Sequence, residues 1–193
     1  MIWTLRKKIF IGYGITLVLM VLVLVWAFIN LWDLGQASDA ILKENYKSIL
    51  AADNMVYAIE RQDSAILLVF VGYEEQGWKQ FRENESEFFQ WLARAKDNIT
   101  IEGEETIVKN IETGYSFYLQ HVVELKSISI GSPRKTGKYY HEAILPSFLS
   151  VRDTCIRLRE INQQNMFKVS DRARYIAKRA IWSMAIIGIV AIA

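Results

Sequence analysis

Two arginine–aspartate groupings are the residues best suited to hold a ligand. Arg61, Gln62 and Asp63 are consecutive, and Arg152 and Asp153 recur late in the chain. An arginine fork pairs with carboxylates and phosphate-like anions through two parallel hydrogen bonds. Arg61, Asp63, Arg152 and Asp153 are therefore a candidate ligand-binding set for a small anion, provided the fold brings them to one level. The same four charges also suit a solvated salt-bridge network, which helix surfaces carry routinely.

A second set is uncharged. Asn45 and Ser48 on one predicted helix, and Asn162 and Asn165 on another, stand where the surrounding pattern is apolar. Buried amides need partners, and a single asparagine in a helical seam fixes register at a cost in stability. These four residues form a candidate polar layer for signalling, through which two helices would exchange registers. Register specification alone, or amides facing water, is the plainer reading.

Other chemistry is sparse. His121 has Glu124 one turn on and His141 precedes Glu142, but two ligands on one helical turn do not make a zinc site. Both histidines read as ordinary surface or interface residues. Cys155 is the single cysteine, so no disulfide forms within one chain, and it sits on a seam as a small buried apolar group. There is no glycine-rich phosphate loop, paired metal motif or nucleophile elbow. The expectation is a chain that is not an enzyme and needs no metal or cofactor. A net charge of +2 without a basic patch sets nucleic acid aside.

The elements that would position these residues begin with Ile9 to Trp32, a run without one charged residue. A membrane-spanning helix needs about 20 mostly apolar residues, and a secretory signal core is shorter, about 7–15. The run reads as a retained transmembrane helix, although Gly35-Gln36-Ala37 offers a small-x-small cleavage site. Residues 1–8 carry Arg6, Lys7 and Lys8, which places them in the cytoplasm by the positive-inside rule. Residues 181–193 are apolar again but too few to cross, and read as the start of a second span cut short. Residues 33–180 would then lie outside the membrane as one domain. Arg172, Arg174, Lys178 and Arg179 crowd the wrong side of that second span, yet long domains translocate largely regardless of charge.

Within 33–180 the period is helical. Leu34, Ile41, Ala52, Met55, Ile59, Ile66 and Val69 mark a seam continuing from the first span. Gly72 and Gly77 bracket a turn, after which Trp78, Phe81, Phe88, Leu92 and Ala95 share a face. Phe89 and Trp91 enlarge that aromatic cluster, and an extra apolar face there suits dimerisation. NITIEG, 98–103, breaks the pattern, and Glu104 and Glu105 suit the positive end of a third helix bearing Ile107, Ile111, Tyr118, Val122 and Leu125. SIGSPRKTG, 129–137, reads as a loop. The fourth helix carries Ile144, Phe148, Val151, Cys155, Leu158, Val169 and Ile176, with a kink or restart expected at Pro146. The predicted fold is all-α: a membrane-anchored antiparallel four-helix bundle with two flanking transmembrane helices. At about 1.5 Å per residue, Asn45, Ser48, Asn162 and Asn165 would stand roughly 20–27 Å beyond the membrane, at one level.

Two of these helices also carry a family likeness. Glu44, Asn45, Tyr46, Ser48, Ala51, Ala52, Met55, Glu60, Arg61, Asp63 and Ala65 on the first, with Pro146, Cys155, Leu158, Asn162 and Met166 on the fourth, resemble the extracytoplasmic sensor domain of KinB-type bacterial sensor histidine kinases. Asn165 stands where that family more usually has a small residue. The resemblance implies an input module of a two-component kinase, dimeric in the bacterial cytoplasmic membrane. Its partners would be the lipid bilayer, a second copy, and a cytoplasmic kinase and response regulator acting through a part not present here. A chemoreceptor input domain and a non-signalling membrane bundle are the alternatives.

Overall fold

A computed structural model describes residues 5–40, 45–129 and 133–192. Among them 94% are helical and there is no strand. The helices are α1 (Leu5–Ala40), α2 (Tyr46–Phe70), α3 (Glu74–Lys96), α4 (Glu104–Ser129), α5 (Pro133–Tyr139) and α6 (Leu145–Ile192). A π-helical turn, Tyr140–Ile144, joins α5 to α6. The chain divides into two compact units, one of residues 1–41 with 167–193 and one of residues 42–166.

The first unit contains α1 and the C-terminal part of α6. Ile9–Trp32 is long and apolar enough to cross a membrane, the one such helix among the described residues, and its side chains are unburied by protein. Ile41, on the expected continuous seam from this helix into the next, lies outside the described residues.

The second unit is a helical bundle whose core draws on α2, α3, α4, the π-helical turn and α6. Its two strongest stripes alternate three and four residues, which holds one face of a helix toward its neighbours. On α2 the buried positions include Ala52, Met55, Ile59 and Ile66; on α6 they are Phe148, Val151, Cys155 and Leu158. Phe81, Phe88 and Leu92 complete the α3 side, and Ile111, Tyr115, Tyr118, Val122 and Leu125 the α4 side.

Two turns differ from their sequence reading. Gly72 does turn the chain, with φ +97°, but Gly77 does not: it is buried inside the first turns of α3. Glu74 and Glu75 favour the positive end of a helix, so α3 starts early and Gly77 serves a close approach to α2. A Cβ there would lie 2.6 Å from Val69 Cγ2 and 2.7 Å from the Ala65 carbonyl oxygen. The expected loop 129–137 is likewise helical from Pro133 to Gly137, with residues 130–132 outside the described part. Proline fits the first helical position, where its missing N–H has no partner to lose.

The restart expected at Pro146 takes a definite form. Proline cannot donate to the carbonyl four residues back. The helix meets this by widening just before it: the Leu145 N–H bonds to the Tyr140 carbonyl, and α6 starts anew at Leu145. Ser147 Oγ then donates to the carbonyls of Ala143 and Ile144, at 2.8 and 2.9 Å.

Candidate functional site

The uncharged polar set is where the fold concentrates its unusual chemistry. Asn45, Ser48 and Asn162 are buried, and Asn165 is half-buried. Asn165 Nδ2 donates to Asn45 Oδ1 at 3.0 Å, joining α6 directly to the residue that precedes α2. The other two reach elsewhere. Ser48 Oγ accepts from Asn98 Nδ2 at 2.8 Å and donates to the Asn98 carbonyl at 3.3 Å. Asn162 Nδ2 donates to Glu104 Oε1 at 2.9 Å and to the Leu158 carbonyl at 3.0 Å.

The layer is thus wider than a seam between two helices. Asn98 and Glu104 bound the turn between α3 and α4, and that turn is held between α2 on one side and α6 on the other. Glu104 is fully buried. Its second oxygen, Oε2, accepts from the backbone N–H groups of Thr100 and Ile101 at 2.9 and 3.3 Å. No cation among the described residues forms an ion pair with it, so these N–H groups and the Asn162 amide carry its compensation. A carboxylate in such surroundings would be costly without them. One turn farther along α2, Arg159 NH1 reaches Asp53 Oδ1 at 2.9 Å and ties the same two helices at the surface. Exposed pairs of this kind contribute little, about 0–1 kcal/mol.

The arginine–aspartate set is not brought together. Side chains two residues apart on a helix diverge by about 200°, and this separates Arg61 from Asp63. Arg61 is exposed beside α3, where Gln80 Nε2 donates to its carbonyl at 3.0 Å. Asp63 faces the other way and accepts from Tyr140 OH at 2.8 Å. Burial pushes the Asp63 carboxyl above the ordinary carboxylate range, against the opposing effect of the Tyr140 hydrogen bond. Burial likewise holds the Tyr140 hydroxyl high, reinforced by Asp63. Arg152 turns onto its own neighbour, with NH2 2.9 Å from Asp153 Oδ1, and its guanidinium lies 5.6 Å from the Phe148 ring centre. Neither an anion site nor a four-charge network is assembled from these residues.

Three further features escaped the sequence reading. Gln62, between Arg61 and Asp63, is fully buried, and its Nε2 donates to Tyr115 OH at 2.8 Å. Tyr115 stacks on Phe88 with centroids 3.7 Å apart, and Phe89 meets the same ring edge-on at 5.3 Å. His121 belongs to a short relay: Tyr139 OH donates to Glu124 Oε2 at 2.7 Å, so its oxygen accepts from His121 Nδ1 at 3.0 Å. Burial, with Glu124 beside it, pushes the Tyr139 hydroxyl up to about 12. Cys155 is buried as expected, and burial pushes its thiol up to about 12.

No protein-family model matches this chain, and neither do the curated proteins or the solved structures.

Proposed function

We propose that the chain is the signal-input module of a membrane-bound two-component sensor histidine kinase. In this reading Ile9–Trp32 and the apolar C-terminal stretch anchor it in the bacterial cytoplasmic membrane, and the bundle of residues 45–166 lies on the extracytoplasmic side. It acts as a homodimer and passes a stimulus to a cytoplasmic kinase by displacement of helices. The observation that carries the reading is the Asn45–Asn165 bond, with Ser48 and Asn162 beside it. These residues lie at the ends of the bundle segments that adjoin the two apolar stretches in sequence. A displacement of one relative to the other must break or exchange that bond. Packed interfaces convert small shifts into discrete states, and a stimulus acts through its different affinity for the two states.

The likeness of the α2 and α6 sequences to KinB-type sensor domains supports this class over others. Reading the gene beyond the codon for Ala193 tests it. A completed apolar span, a linker and a helix bearing a phospho-accepting histidine, followed by an ATP-binding domain, would support the proposal. A long heptad hairpin would make the chain a chemoreceptor input domain, and an immediate stop codon would leave a structural membrane bundle.

A further inference from the structure

The core between α2 and α4 holds a polar node that the described residues do not satisfy among themselves. Gln62 and Tyr118 are both fully buried, and Gln62 Oε1 and Tyr118 OH have no hydrogen-bond partner among the described residues. Tyr115 OH accepts from Gln62 Nε2, and no protein atom among the described residues accepts the Tyr115 proton in return. Exchanging the oxygen and nitrogen of the Gln62 amide would not remove the deficit: the amide atom turned away from Tyr115 stays unpaired whichever it is. Leaving buried polar groups unpaired is costly, and native cores rarely tolerate it.

The geometry of the node is close. Tyr115 and Tyr118 project from one face of α4, three residues apart, with ring centroids 6.0 Å apart and planes inclined by 28°. Gln62 touches the hydroxyl of the first. Among the described residues Tyr118 OH bonds to no other group, Tyr115 OH included, so a link between the two hydroxyls needs an inserted oxygen. The open valences match in kind: two hydroxyl protons without acceptors and one amide oxygen without a donor.

We propose that this node is an internal water-binding site. One water accepts the protons of Tyr115 and Tyr118 and donates to Gln62 Oε1. That makes three hydrogen bonds, the usual number for a buried water. The site goes beyond the signalling reading and stands or falls separately from it. It joins α2 to α4 in the half of the bundle away from the Asn45–Asn165 bond, through an exchangeable molecule instead of a fixed side-chain contact.

The test is made on the full chain in detergent micelles. Water-proton magnetic relaxation dispersion counts long-lived internal waters in the wild type and in a Gln62→Leu/Tyr118→Phe double variant. The proposal expects the variant to lose about one such water while its helical circular dichroism is unchanged. An equal count in the two folded proteins would overturn it. Where the variant does not fold, the wild type decides through water cross-peaks to the Gln62 side-chain amide. Their presence with the sign of a bound water supports the site, and their absence overturns it.

Discussion

Glu104 and Glu105 stand side by side in the first turn of α4, and only their burial separates them. Glu105 is exposed, so its contribution is the interaction of an acid with a helix N-terminus, about 0.3–1 kcal/mol. Glu104 is fully buried and accepts three hydrogen bonds, two at 2.9 Å and one at 3.3 Å. Hydrogen bonds to charged groups contribute about 1.5–3 kcal/mol each. The two short ones together set the cost of Glu104→Ala at about 3–6 kcal/mol, the longer one adding little. In a chain of this size 1 kcal/mol moves Tm by about 2–4 °C, so Glu104→Ala should lower Tm by roughly 10 °C or more and Glu105→Ala by about 4 °C or less. Thermal unfolding of the full chain in detergent, followed by circular dichroism, measures both. A double-mutant cycle with Asn162→Ala should show a coupling of about 1–3 kcal/mol. Equal Tm losses at the two glutamates, or no coupling to Asn162, would refute the reasoning that the α3–α4 turn is locked onto α6.

Further outcomes follow from the rest of the bundle. Gly77→Ala gains about 1 kcal/mol of helix propensity but sets a methyl against the Ala65 carbonyl, which can move only with its helix. Overpacking of this kind costs about 1–3 kcal/mol, so the variant should unfold at lower temperature than the wild type in the same melt. Asp63 has its folded carboxyl raised above the ordinary 3.8. A raised acid contributes stability that is full below its unfolded value and lost as pH rises through the folded one. Asp63→Asn, which still accepts from Tyr140, should therefore be more stable than wild type at pH 7, and the advantage should vanish towards pH 3 in melts across that range. Cys155, buried with its thiol held near 12, should resist maleimide at pH 7 in the native chain and react fully in denaturant, as mass spectrometry would record.

How much of this was legible depends on reading heptads through polar letters. The apolar seams were visible because Met55, Ile59, Ile66, Ile111, Cys155 and Leu158 recur at three and four. Asn45 and Ser48 were legible as members of the α2 stripe, and Asn162 of the α6 stripe, for the same reason. Glu104 continues the α4 stripe through 108, 111, 115, 118, 122 and 125, and Gln62 lies between Ile59 and Ile66 on α2 in the same way. Their period gave a usable signal, but a carboxylate beside a helix start and an amide between two charged residues both suggest solvent. Which partners the layer would take was not readable. Asn98 lies in a turn, and contacts across 50 residues, such as Ser48 with Asn98, leave no local pattern. The Arg61–Asp63–Arg152–Asp153 set failed for the opposite reason. Height along the helices agreed, but the faces did not, since residues one or two apart on a helix point in different directions.

The central claim is that the bond between Asn45 and Asn165 lies on the path of a signal. The most direct measurement joins residues 1–193 to the linker and kinase half of a bacterial sensor histidine kinase in a strain with a transcriptional reporter. Asn45→Leu and Asn165→Leu are compared with the parent chimera and with Glu105→Ala as a surface control, at matched membrane abundance. The account predicts that either layer variant shifts reporter output several-fold while the control leaves it alone. Output that is unchanged in both layer variants, in chimeras that respond to other lesions in the bundle, would contradict it.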